Sequence, residues 1–247
     1  MLMEDEIFYN NIQKAFDNIP DDFNILEEQI DIEIQMQYFE FVRKNRDNTD
    51  NVEIFESGDE LFLPETSLER KKKILAVLSV TDDVKAYRTI EKFITLSDGF
   101  IKQWAILALQ ENRVLLQSSL LDEQQIFIST GLGGKGQKLR YFIVFLNSDE
   151  KSILNNTQQK LLKDELTFEL GKNQGEFETI DFIERFSTAL IMLPLKADIQ
   201  NIFKNIISEC NQYGDFLKDD LIITNVKIFS KDEIIGILSK KASEDED

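Results

Sequence analysis

Between Gln124 and Asn147 the chain changes character. Two runs rich in β-branched and aromatic residues flank a loop, Gly131 to Gln137, that carries four glycines and a lysine. Ile126, Ile128 and Thr130 alternate with Phe127 and Ser129. After the loop, Leu139, Tyr141, Ile143 and Phe145 alternate with Arg140, Phe142, Val144 and Leu146. Both runs are apolar on two sides, the pattern of strands covered on both faces. The simplest way to join them is a β-hairpin with a long loop over 131–137. The chain before this stretch reads as helices, and most of the chain after it reads as a small unit of strands and helices. The expected class is α+β, with an all-helical N-terminal region ahead of an antiparallel-sheet sandwich. The expected domains are 1–122 and 123–241, with an acidic tail at 242–247.

The loop is also the candidate binding site. Gly131, Gly133, Gly134 and Gly136 allow positive φ and leave backbone N–H groups unshielded, as an anion-binding nest requires. Lys135, Lys138 and Arg140 add positive charge, and Ser129 and Thr130 offer hydroxyl donors at the loop entry. A nucleotide enzyme is disfavoured. The run GLGGKGQ lacks the G-x-x-x-x-G-K-[ST] of a P-loop, and a strand rather than a helix comes after it. Gly131, Gly133 and Gly136 match the spacing of a dinucleotide-binding turn, but no helix opens there. The competing reading is a hairpin tip kept soluble by lysines.

Charge and composition remove several function classes. The formal net charge is −18. Residues 1–66 hold 18 acidic and 4 basic side chains, whereas residues 67–145 hold 8 acidic and 12 basic ones. Such a field repels phosphate backbones and anionic membranes, so nucleic acid is an unlikely partner and no membrane is expected. The chain has no His and one Cys, Cys210. Imidazole acid–base chemistry, Ser-His-Asp triads, Cys-rich zinc sites and intrachain disulfides are thereby excluded. No catalytic residue, metal or cofactor is assigned. The acidic start MLMEDEIFYNN lacks the pattern of a signal peptide, and no apolar run reaches membrane-spanning length, so a cytoplasmic location is expected.

Taken in order, residues 4–18 carry apolar positions at helical spacing, and a second amphipathic helix is expected from about 23 to 44. Residues 45–66 read as irregular, with a short hairpin around Ser57-Gly58. Thr66-Ser67-Leu68-Glu69 has capping-box form and precedes a helix. Thr81-Asp82-Asp83 separates it from a helix at about 83–96, and Ser97-Asp98 opens a longer one to about Leu120. After the hairpin, Ser148-Asp149-Glu150 is expected to cap a helix to about Leu170. Strands are expected at 177–183 and 189–195, then a helix from Asp198, a strand at 221–229 and a terminal helix at 231–240.

The short helices joined by Asp-containing turns, with the run WAILAL in the last, resemble HEAT-type helical repeats over about 67–120. That resemblance implies a protein-binding helical surface. From Leu139 to Phe229 the order β-α-β-β-α-β resembles the ferredoxin-like split βαβ arrangement, with the first hairpin strand added at an edge. The functional expectation is a non-enzymatic intracellular adaptor or regulatory protein that binds a protein partner through its helical domain. The alternative is a module that binds a phosphate-bearing or nucleotide ligand through the Gly131–Gly136 loop.

Overall fold

A computed structural model describes residues 23–45, 51–123 and 125–244. It is an α+β protein with its helices gathered towards the N-terminus and an antiparallel sheet after them. The chain divides into two units. One takes the described residues up to Leu139 with Pro194–Ala197; the other takes Arg140–Leu193 and the described residues from Asp198 onwards. The helix expected over 4–18 lies outside the described residues.

The first unit opens on strand β1, Asn24–Ile25, not on a helix. Helix α1 covers Ile32–Asn45, and it starts where the Asp31 carboxylate accepts from the Glu33 N–H at 2.7 Å. The apolar residues Phe23, Ile25, Leu26 and Ile30 are buried ahead of the helix, with only Asn24–Ile25 in a strand. Helix α2, Asn51–Glu56, and a 3₁₀ turn, Ser57–Phe62, replace the expected irregular segment and hairpin.

Helix α3 (Leu68–Ser79) is capped by Ser67, whose side chain accepts from the Arg70 N–H; the cap is one residue later than the capping-box pattern placed it. Helix α4 (Val84–Leu96) is capped by Asp83, and α5 runs from Gly99 to Leu121 after Asp98. Ile74 to Leu78 of α3 are all buried, so this helix is the centre of the unit. Its C-terminus lacks a glycine cap. The buried Asn112 of α5 substitutes, donating to the carbonyls of Leu78 at 2.8 Å and Thr81 at 2.7 Å. Such partners are required because terminal carbonyls have none within the helix. Trp104 is packed edge-on by Tyr38 and Phe41, with ring centroids 5.4 and 5.6 Å away.

Strand β2, Phe127–Ile128, pairs in parallel with β1, Asn24 opposite Phe127. It is therefore not an arm of the expected long-loop hairpin. The hairpin that does form joins β3, Gly134–Lys135, to the start of β4, Lys138–Asn147. Its turn has only two central residues, Gly136 and Gln137. Gly136 has φ +58° while Gln137 is not in the left-handed region, which fits the type II′ turn that puts Gly first. Because β2 pairs with β1, residues 125–139 belong to the first unit, and the division falls near Leu139 rather than at 122.

The second unit has the order β4, α6 (Asn156–Lys172), β5 (Glu176–Ile183), β6 (Phe186–Pro194), α7 (Ile199–Asn211), β7 (Leu217–Thr224) and α8 (Lys231–Glu244). In space the strands run β5-β6-β4-β7. Pairing is antiparallel between β5 and β6 and between β4 and β7. Helix α6 begins later than expected. Asn155 accepts from the N–H groups of Thr157 and Gln158, and Gln158 accepts from the Asn155 N–H, a full capping box. The acidic run chosen from sequence serves its own turn, where Asp149 accepts from Lys151 N–H and Ser152 Oγ. Strand β7 starts four residues before the expected Leu221, since Leu217 already pairs with Asn147. No described helix is long and apolar enough to cross a membrane.

Candidate functional site

The second unit carries a groove of about 770 Å³ between α7 and β7. Its helix side is a stripe at i, i+3, i+4, i+7 and i+8 along α7: Gln200, Phe203, Lys204, Ile207 and Ser208, continued by Asn211 and Gln212. Residues at that spacing share one face. Its strand side is Asp219, Leu221 and Ile223, alternate residues of β7 that point to one face of the sheet.

Different forces hold each wall. Ile202, Phe203, Ile206, Ile207 and Cys210 are buried and fix α7 on the sheet. Phe203 meets Phe145 of β4 with ring centroids 5.9 Å apart, and Phe145 is the register partner of Leu221. At the turn end, Asn211 Nδ2 donates to the Leu217 carbonyl at 2.8 Å while its Oδ1 accepts from the Leu217 N–H at 3.0 Å. This two-way bond ties the end of the helix to the start of the strand.

The floor is apolar: Phe203 and Ile207 are buried, and Leu221 and Ile223 are half-buried. The rim is polar and its charge is divided. Asp215 and Asp219 stand at the turn end, both exposed, whereas Lys204 and Gln200 lie towards the start of α7. A groove of this size, with an apolar floor under a polar rim, has the character of a small-molecule site. Cys210 is fully buried, and burial, followed by the charges of Glu165 and Glu209, pushes its thiol up to about 12.

The glycine-rich loop is built differently from the expected open nest. Thr130, Gly131, Gly133 and Gly134 are buried, and Ser129 is half-buried. The Gly133 N–H donates to the Thr130 carbonyl at 3.2 Å, and that carbonyl also accepts from Gln35 Nε2 at 3.0 Å. A Cβ on Gly133 would lie 2.5 Å from the Glu27 carbonyl oxygen and 2.6 Å from that of Glu28. These glycines therefore let one backbone pass closely over another, and the groups facing Gly133 are carbonyl oxygens, which repel anions. Lys135 and Gly136 are exposed at the hairpin tip, and Lys138 is half-buried. Arg140 makes a two-pronged ion pair with Glu178 at 2.7 and 2.9 Å. The structure brings Thr130 and Gly133 together but does not aim Arg140 at the loop's glycines.

Sequence reasoning missed the α7–β7 groove. The helical stripe and the strand alternation were both visible, but their juxtaposition depends on how α7 returns to the sheet edge. Among the described residues, no group of three or more His, Cys, Asp or Glu side chains gathers at metal-binding distance.

No protein-family model and no curated protein matches this chain. Among solved structures, the chain is similar to a putative transposase from Deinococcus radiodurans, with TM-score 0.36 and 14% identity over 42% of this chain and 90% of that one. A REP-associated tyrosine transposase bound to a REP hairpin gives TM-score 0.32 and 13% identity over 40% of this chain and 61% of that one. Both neighbours are described as transposases, one of them bound to a REP hairpin. The expectations of a non-enzymatic adaptor acting through its helices, and of nucleic acid as an unlikely partner, are withdrawn on that finding. At TM-scores this low the likeness transfers no activity to this chain.

Proposed function

We propose that the second unit is a ligand-binding module whose site is the α7–β7 groove. The ligand is a small organic molecule with an apolar body and a cationic group. One observation carries the reading: an apolar floor of Phe203, Ile207, Leu221 and Ile223 ends at a pair of carboxylates, Asp215 and Asp219. The floor removes apolar surface from water at roughly 25 cal/mol per Å². The carboxylates favour an ammonium at the turn end, where charge-assisted hydrogen bonds contribute about 1.5–3 kcal/mol. Lys204 at the opposite end favours an acceptor there.

Saturation-transfer NMR with a matched probe set tests this reading. The probes are phenethylamine and octylamine against 3-phenylpropanoate and octanoate. The amines bind the wild-type chain more tightly than the acids, and Asp215→Asn with Asp219→Asn removes that preference by about tenfold, equivalent to 1.4 kcal/mol. Equal binding of amines and acids, or an amine preference unchanged in the double variant, overturns the reading.

A further inference from the structure

The α7–β7 groove uses one face of the second unit's sheet. Successive residues of a strand point to opposite faces, so Phe142 of β4 faces away from Phe145 and from that groove. On Phe142's side the start of α8 and the residues just before it close over the sheet. Phe229 meets Phe142 edge-on with ring centroids 6.2 Å apart, and Ile234 of α8 is buried. A cavity of about 220 Å³ lies here. Phe142, Leu190, Ile228, Phe229 and Ile234 give it an apolar part. Its sheet wall also carries polar groups. Thr179 and Asp181 are alternate residues of β5, and Asp181 is the register partner of Thr188 on β6, so the three side chains share one face. Lys231, the first residue of α8, lines the helix wall.

Three of these polar groups are unmatched. Thr188 is only 9% exposed, yet its hydroxyl makes no hydrogen bond with any described residue. Buried polar groups ordinarily have a partner, so one that lines a cavity without one points to a ligand. Asp181 and Lys231 carry opposite charges on the same cavity, but they pair neither with each other nor with any other described residue. Opposite charges nearby in this unit do pair: Arg140 with Glu178, and Lys227 with Glu233. We propose that this cavity binds a free α-amino acid with an apolar side chain. A carboxylate and an ammonium at separate points of one cavity match the two ends of a zwitterion. Asp181 accepts from the ligand's ammonium, and Thr188, directly across the strand pair, accepts a second hydrogen from it. Lys231 donates to the ligand's carboxylate, and the apolar part takes its side chain. A ligand with a single charge would leave Asp181 or Lys231 unmatched. The volume lies below the roughly 300–1,000 Å³ of pockets for drug-sized ligands, which selects a molecule of amino-acid size. The site lies on the opposite face of the sheet from the α7–β7 groove and does not depend on the reading of that groove.

Backbone amide NMR of the isotope-labelled full chain, titrated with three matched probes, tests the site. The probes are L-leucine, 3-methylbutylamine, which lacks its carboxylate, and 4-methylpentanoate, which lacks its ammonium. L-leucine is expected to shift the amides of 179–190 and 228–234 and to bind about tenfold more tightly than either analogue. This comparison needs no variant. Asp181→Asn removes the advantage of L-leucine over 4-methylpentanoate, and Lys231→Gln removes its advantage over 3-methylbutylamine. Both residues are exposed, so the fold survives these changes. Thr188→Val weakens L-leucine, whereas Thr188→Ser, which keeps the hydroxyl, retains it. No binding of L-leucine at millimolar concentration overturns the proposal. So does equal affinity for the three probes, a preference unchanged in both charge variants, or shifts centred on 200–223 instead.

Discussion

Gly133→Ala is expected to destabilise the first unit by about 2–5 kcal/mol. Two effects contribute. Gly133 has φ +66°, and an L-residue held in the left-handed region costs about 1–2 kcal/mol. The new methyl would also sit 2.5 and 2.6 Å from the carbonyl oxygens of Glu27 and Glu28. Those atoms are backbone and cannot swing aside as a side chain would, so the crowding adds roughly 1–3 kcal/mol, typical of overpacking. Gly136→Ala is the matched control. Its φ is +58°, but a methyl there meets nothing within 4 Å, so only the conformational cost of about 1–2 kcal/mol applies. Urea unfolding followed by fluorescence measures both, since the single Trp, Trp104, lies buried in this unit. A Gly133→Ala variant as stable as Gly136→Ala would refute the close packing of this loop over residues 27–28.

Four further outcomes are expected. Asn211→Ala loses both bonds to Leu217 and leaves backbone groups unmatched, a destabilisation of about 1–3 kcal/mol by urea unfolding. Tyr38 donates to Glu111 at 2.6 Å, and burial, then the Glu111 charge, raises its pKa well above 10.0. Its contribution to stability is therefore complete below the unfolded value near pH 10 and is lost as pH rises further; an absorbance titration should show one phenol ionising only with unfolding. Glu233, bonded by Lys227 and by the Ser230 side chain and N–H, is lowered to about 2. It should hold its charge in acid until the pH falls to that value, and carboxyl NMR of Lys227→Ala should show the midpoint rise. Cys210, buried and raised to about 12, should react with a thiol reagent only at the rate at which the second unit opens.

Local chemistry was the legible part of this fold. Asp83, Asp98 and Asp198 marked the starts of α4, α5 and α7, because an N-cap is written within a few residues of the helix it starts. The order β-α-β-β-α-β from β4 onwards was also legible, since period and length separate the elements. Asn155-x-x-Gln158 was equally local, but Ser148-Asp149-Glu150 offered a competing cap just upstream. Strand β1 was not legible. It is two residues long, and its partner Phe127 lies about a hundred positions away. The buried run around it satisfies a helical pattern as well as an extended one. The glycines at 131–136 were read for the freedom they give, whereas Gly133 serves the close passage of residues 27–28 and Gly134 the close approach of the Lys138 carbonyl and the Ile25 side chain. The α7–β7 groove needed two separately legible faces to be set side by side, which only tertiary packing decides.

The most direct measurement is a backbone amide titration of the isotope-labelled full chain with the tightest-binding amine of the probe set. Shifts confined to Gln200–Gln212 and Asp215–Ile223 are predicted, with a weaker response in Asp215→Asn with Asp219→Asn. Shifts centred on Ser129 to Gly136 instead, with the α7–β7 residues unmoved, would contradict the assignment of the groove as the ligand site.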